Sequence, residues 1–198
     1  DLASSTSGSL TLVSAAGVAS GSVALKSGDS STGISGDVSI SSGSSGEDSG
    51  RVLIGAGVSS RKQGGSVEIQ AGTSTSNDGY GGAGSLVAGD GVIGGGIKVQ
   101  GGQGENHGGD VEVSGGSSSR GPGADVKITG SSSGGSDGGM IEMVSGSGAL
   151  SGGSVSISAG QGIQKGGSLL LADGGSTDGM SGGISIESQP GTRSGDVR

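Results

Sequence analysis

Few residues of this sequence have side chains that could do catalytic chemistry. His107 is the single histidine among 198 residues, so it is the only imidazole that could act as a general base. The pattern GxSxG, which carries the nucleophile of many hydrolases, occurs at Gly130–Gly134 and at Gly134–Gly138. With Gly at 52 positions such matches arise by chance, and the required strand–turn–helix context is absent. We therefore expect no catalytic residues, no cofactor-binding residues and no enzymatic activity.

Metal ligands are also sparse. The sequence contains no Cys, which excludes thiolate metal sites and disulfide bonds. Calcium-binding turns of the form GGxGxDxUx find their nearest counterpart in GPGADVKI at 121–128. There the aliphatic residue follows Asp125 directly, whereas the calcium motif places one residue between them. We expect no metal-binding residues, with an incidental ion between loops as the remaining alternative.

Charge and hydropathy exclude two classes of partner. Ten Lys and Arg against 18 Asp and Glu give a formal net charge of −8, and no basic cluster is present. Proteins that bind nucleic acids carry a concentrated positive surface, so we expect no nucleic-acid partner. No stretch approaches the ~18 apolar residues that a membrane-spanning helix requires, so we expect no membrane span.

Composition by itself is typical of a disordered chain. Gly occupies 52 positions and Ser 43, Phe and Trp are absent, and Tyr80 is the only aromatic residue. Only 28% of the residues are hydrophobic, which leaves little apolar surface to offset the entropy lost on folding. The aliphatic residues are nevertheless regularly spaced, and this regularity favours a repeat architecture over disorder.

One pattern recurs along the whole chain. A small residue at unit position 0 is followed by aliphatic residues at positions 2 and 4 and by Gly at position 7, as in GSVEIQAG at 65–72 and GSVSISAG at 153–160. Copies begin at residues 8, 21, 36, 50, 65, 84, 95, 109, 124, 139, 153, 167, 182 and 195. The sequence therefore predicts a single repeat array over residues 1–198, with 13–14 units of about 14 residues.

An aliphatic residue at every second position is the period of a β-strand. A helix would instead need apolar residues three and four positions apart, and it would be destabilised by Gly at this density. Each unit is thus expected to be a short strand followed by a Gly/Ser-rich bend. Since an isolated strand of this length is unstable, stacked copies would share one continuous core. The predicted fold class is all-β, a β-solenoid resembling a parallel β-helix.

The number of units in each coil has two interpretations. The long interval from residue 65 to 84 and the short one from 84 to 95 compensate each other, which favours two units in a coil of about 29 residues. The outward position 3 carries alternating charge, at Lys98, Glu112, Lys127 and Glu142. Alternation favours one unit per coil, because opposite charges would then stack directly.

Two further positions carry structural expectations. Position 6 is mostly Ser, Ala or Gly, and such small residues can face inward at a corner. The nearly invariant Gly at position 7 is typical of a bend that requires positive φ or a close backbone approach. Residues 73–83 form the longest connection and are expected to protrude.

These Gly/Ser-rich runs, of the form SGxVxIxSGxSxxG, are similar to the repeat regions of large secreted or cell-surface proteins, including adhesin-like solenoids and algal extracellular proteins. The resemblance covers essentially the whole chain and transfers no site residues. It implies an extracellular or cell-surface location and a structural or adhesive role. We therefore expect a segment of an extracellular filament, stalk or matrix fibre, and the alternative is an adhesin-type or ion-binding module that acts through its loops.

The ends of the array carry the expectation about partners. The copy that begins at Gly195 stops within its predicted strand, and neither end has a visible cap. An uncapped strand edge is a template for pairing with another copy. The sequence thus predicts head-to-tail self-association into a filament, or continuation of the repeats in a longer parent chain.

Overall fold

Glycine and serine fill the connections between the aliphatic pairs, and their small side chains let the backbone bend at regular intervals. The computed structural model describes residues 7–188 and residue 195. Neither an α-helix nor a β-strand is formed in these ranges, and no helix there could cross a membrane. Bends recur every 14 to 16 residues in this part of the chain, at 17–19, 31–33, 46–47, 60–62, 76–78, 91–93, 105–106, 119–121, 134–136, 149–150, 163–164 and 177–179.

A backbone hydrogen bond closes each loop around most of these bends. The N–H at position 0 of one unit donates to the C=O at position 7 of the unit before it, with N···O distances of 2.8–3.0 Å. The donor lies six to ten residues after the acceptor. Nine such bonds are formed among the described residues, and their donors are Gly65, Gly82, Gly95, Gly109, Ala124, Gly139, Gly153, Gly167 and Gly182.

The contacts within the chain divide it into two compact parts, Asp1–Ile97 and Lys98–Arg198, each of which contains several repeat units. The first contains the three closed loops whose donors are Gly65, Gly82 and Gly95. The second contains the other six, with donors from Gly109 to Gly182. The same loop closure is therefore the repeated local structure of both parts of the chain.

The prediction of an all-β solenoid with a shared core is wrong for the described residues. None of them is buried: Val67 is 54% exposed and Ile69 is 89% exposed. The accessible surface is 20052 Å². A compact protein of 18.1 kDa would expose roughly 8,000 Å² and its unfolded chain roughly 26,000 Å².

The physical reason lies in the backbone hydrogen bonds. A strand ladder needs successive bonds between neighbouring segments, whereas nine pairs of neighbouring units share one bond each, at the corner, and the described units before the one that starts at Gly50 share none. The segments from position 1 to position 6 therefore do not pair, and neither the 29-residue coil nor the one-unit coil forms in the described part of the chain. The predicted fourteenth copy lies outside the described residues except for Gly195.

The structure also moves the start of the sixth unit from residue 84 to residue 82. Gly82 donates to Gly72, and the carbonyl of Gly89, seven residues later, accepts from Gly95. Leu86 then occupies position 4, in agreement with its exposure of 74%, which is close to the 66–75% of most other residues at this position. The inserted residues therefore lie in the loop before Gly82, and the predicted pair Leu86/Ala88 occupies positions 4 and 6.

Because the described residues form no core, we expect the monomeric chain to lack a cooperative thermal transition. Replacing Ile69 with Lys should leave its far-ultraviolet circular dichroism unchanged, as should the matched change Glu68→Lys, because both side chains face solvent. Differential scanning calorimetry in dilute solution provides the measurement. A sharp heat-absorption peak that Ile69→Lys abolishes and Glu68→Lys preserves would contradict this expectation.

Candidate functional site

The aliphatic pairs form the most regular exposed feature of the chain. At position 2, from Val23 to Ile184, the large aliphatic side chains are all 49–57% exposed. Those at position 4 are more exposed, at 56–89%. Except for the first unit, whose Leu10 is 96% exposed, and the sixth, which has Gly84 at position 2, each described unit therefore presents a similar small apolar surface, and this surface recurs with the period of the repeat.

The corner at which each loop closes brings positions 6 and 0 together. The four described residues that are most shielded from solvent all occupy position 6: Ser14, Ser27, Ala88 and Gly101. A Cβ added to Gly95, at position 0 of the next unit, would lie 3.5 Å from the Cβ of Ala88. The expectation that small residues at position 6 face inward at a corner is consistent with this contact.

The explanation predicted for the Gly at position 7 is wrong. No described residue has a positive φ. A Cβ added to Gly72, Gly102 or Gly160 would have no atom within 4 Å beyond the neighbouring residues, so no close approach requires Gly there. In three units Gly is instead required at position 6, the position before it: at Gly101, Gly115 and Gly130, a Cβ would collide with the carbonyl oxygen at position 0 of the next unit.

A second recurring feature lies at position 9, which is the first residue of the bend or lies one or two residues before it. In all twelve units for which this position is described, the residue is Ser or Gly. Where it is Ser, its Oγ accepts a hydrogen bond from a backbone N–H two or three residues later. Examples are Ser118, which accepts from Gly121 at 2.9 Å, and Ser176, which accepts from Gly179 at 2.9 Å.

Where position 9 is Gly, a carbonyl group two or three residues later lies close to the place that a side chain would occupy. A Cβ added to Gly104 would collide with the carbonyl oxygen of His107, and one added to Gly162 would collide with that of Lys165. The conflict at Gly91 is milder, since its Cβ would lie 3.1 Å from the carbonyl oxygen of Ile93. Only Gly leaves room for these carbonyl groups.

Loop length separates the two kinds of turn. Among the nine closed loops described, the donor follows the acceptor by six or seven residues wherever position 9 is Gly, at Gly91, Gly104, Gly148 and Gly162. It follows by eight or ten residues wherever position 9 is Ser, at Ser59, Ser74, Ser118, Ser133 and Ser176. A shorter loop folds its backbone back tightly, whereas a longer one has room for the serine side chain and gains its hydrogen bond.

The residues with potential chemistry are all exposed and lie in or beside these loops. His107 follows the bend at 105–106, and Ser132 and Ser136 of the two GxSxG matches flank or occupy the bend at 134–136. Asp125 lies after Ala124, the donor of a loop-closing bond. No group of three His, Cys, Asp or Glu side chains that could hold a metal ion is found in the described part of the chain.

The connection over residues 73–83 contains the longest closed loop among the described residues. Its closing bond joins Gly82 to Gly72, the widest sequence separation among these bonds in the described ranges. A smaller turn within it is formed by the N–H of Gly79 and the C=O of Ser76, at 3.2 Å. This loop differs from the others by carrying a turn inside a turn.

Comparison of the chain with protein families, curated proteins and solved structures gave no match. The candidate functional features are therefore those of the chain itself: the exposed aliphatic pairs and the Ser/Gly turns. The pairs were evident from their spacing. The Gly/Ser-rich bends after the pairs were predicted too, but the restriction of position 9 to Ser or Gly was not, although it is visible in the sequence once the units are aligned.

Gly162 and Gly160 provide a matched test of the turn geometry. We expect Gly162→Ala to open its loop, because the new methyl group meets the Lys165 carbonyl, and Gly160→Ala to leave the loop closed, because its methyl group enters open space. A backbone hydrogen bond contributes about 0.5–1.5 kcal/mol, so exchange of the Gly167 amide should accelerate about two- to tenfold in the first variant only. Nuclear magnetic resonance measures this rate, and equal acceleration in both variants would contradict the geometry.

Ser133 and its neighbour Ser132 test the longer turn. The Ser133 Oγ accepts from the N–H of Ser136 at 3.0 Å, so Ser133→Ala should weaken the bend at 134–136. Exchange of the Ser136 amide should increase about two- to tenfold. Ser132→Ala, which removes a hydroxyl that makes no such bond in the described structure, should leave the rate unchanged. Faster exchange of the Ser136 amide in Ser132→Ala alone would contradict this assignment, because it would show that the Ser132 hydroxyl forms the turn.

Proposed function

We propose that this chain is a non-enzymatic structural protein, a segment of an extracellular filament, stalk or matrix fibre that is assembled by self-association. The observation that carries the proposal is the nearly uniform exposure of the large aliphatic residues at position 2 of the units. Position 2 keeps almost the same accessibility, 49–57%, in the units from Val23 to Ile184 other than the sixth, which has Gly84 there. A surface repeated in this way suits a partner with the same period, and another copy of the chain has that period.

The hydrophobic effect supplies the driving force for assembly. Apolar surface removed from water contributes about 25 cal/mol per Å². One pair is a weak contact by itself, but contacts linked along one chain add through effective concentration. Many weak and equal contacts are suited to a structural polymer, which gains strength from their number.

The composition of the loops supports the same role. Gly and Ser connections have small side chains, and the net charge of −8 keeps the chain soluble before assembly. The similarity of the repeats to those of secreted and cell-surface proteins supports an extracellular location. Continuation of the contacts from copy to copy in head-to-tail order would generate an open fibre, since such contacts do not close on themselves.

Assembly can be tested by replacing aliphatic residues inside and outside the pairs. The first variant replaces four residues at position 2 with Ser: Val111, Val126, Ile141 and Val155. The control replaces four aliphatic residues outside the pairs that are at least as exposed: Ile34, Val92, Leu150 and Ile163. Light scattering against concentration and electron microscopy then measure the onset of fibres.

We expect the wild-type chain and the control to form fibres at similar concentrations. The pair variant should need at least a tenfold higher concentration, because each replacement removes apolar area that assembly would cover. A wild-type chain that stays monomeric at millimolar concentration would refute the proposed function. If the pair variant and the control began to form fibres at the same concentration, the aliphatic pairs would not be the contacts between copies.

A further inference from the structure

Four consecutive units of the second half carry charges of alternating sign at position 3. Lys98, Glu112, Lys127 and Glu142 lie between the two aliphatic positions of their units, at intervals of 14, 15 and 15 residues. We call these four side chains the charge row. All four are exposed, and the one hydrogen bond between side chains in the described residues joins Ser185 to Glu187. The row is therefore available to a partner.

The order of the row is complementary to its own reverse. Read in one direction it is plus, minus, plus, minus, and read in the other it is minus, plus, minus, plus. A second copy that runs antiparallel, about a two-fold axis between Glu112 and Lys127, places Lys98 beside Glu142 of that copy and Glu112 beside its Lys127. The axis repeats both contacts, so four pairs of opposite charge are formed.

Other alignments of two copies satisfy the row less well. A parallel copy in register sets like charges beside each other at all four units, which is destabilising. A parallel copy shifted by one unit forms three opposite pairs and leaves one charge at each end without a partner. The antiparallel alignment pairs all four charges. Its one contact between like charges is at the two-fold axis, where Arg120, in the bend at 119–121, lies beside Arg120 of the second copy.

The same alignment brings apolar surfaces together. Val111 and Val113 of one copy lie beside Val126 and Ile128 of the other, and these four side chains are 51–75% exposed in the single chain. We propose that residues 98–143, which carry the charge row and these aliphatic residues, lie side by side with the same residues of a second copy of this chain in antiparallel register. This inference rests on the proposed self-association and deepens it, because it specifies a lateral contact within the assembly.

Charge reversal tests the register directly. Variant K98E/K127E makes the row entirely acidic, and E112K/E142K makes it entirely basic. The control K62E/K165E alters the net charge as the first variant does but reverses charges outside the row, in the bend at 60–62 and near the bend at 163–164. Analytical ultracentrifugation of the full chain measures the dissociation constant of each variant and of an equimolar mixture of the two row variants.

We expect each row variant alone to associate at least tenfold more weakly than the wild-type chain. The mixture should recover to within about threefold of wild type, since an acidic row then meets a basic one, and the control should stay within about twofold. If row variants and wild type associate equally, the register is wrong while the proposed function stands. If the wild-type chain does not associate at all, both are refuted.

Zero-length cross-linking distinguishes the antiparallel register from the shifted parallel one. A carbodiimide joins a lysine amine to a carboxylate only when the two are in contact, and mixing chains labelled with ¹⁴N and ¹⁵N identifies the cross-links between copies. The antiparallel register gives interchain Lys98–Glu142 and Lys127–Glu112 products. Interchain Lys98–Glu112 products without Lys98–Glu142 would overturn it.

Discussion

The hydrogen bond from the N–H at position 0 to the C=O at position 7 is the interaction on which the described structure depends. Its N···O distances stay within 2.8–3.0 Å while the sequence separation of donor and acceptor varies from six to ten residues. The bond therefore sets the corner, and the loop adapts to it. The demand for small residues at positions 0 and 6 follows from this constraint, because the two positions meet where the bond closes.

The sequence predicts the local features of this arrangement better than its long-range ones. Eight of the nine loop-closing donors lie at unit starts that the aliphatic spacing predicts, and the bends follow with the same period. Strand pairing failed because spacing shows which residues are equivalent but not whether equivalent segments approach each other. Approach requires enough buried apolar area to offset the entropy of ordering, and two aliphatic residues per unit leave Val67 and Ile69 exposed.

The sixth unit shows how a pattern of side chains misplaces a boundary. Leu86 and Ala88 have the spacing of an aliphatic pair, so the sequence places the start at residue 84. The backbone bond identifies Gly82 instead, with Ala88 at the corner. Spacing was ambiguous there because Ala serves equally as a small aliphatic residue and as a corner residue. Position 9 was overlooked for a related reason, since Ser and Gly occur almost everywhere in this chain.

The closed loops also give the chain a reserve of length. An eight-residue loop such as that between Gly57 and Gly65 ends in two atoms 2.9 Å apart. Pulled taut, eight residues span roughly 26–29 Å. The bond that holds each loop contributes only about 0.5–1.5 kcal/mol, so tension along the chain would release the loops individually and at low force. A fibre built from such units would stretch by opening its corners and recoil as they close, with no packed core to unfold in the described residues.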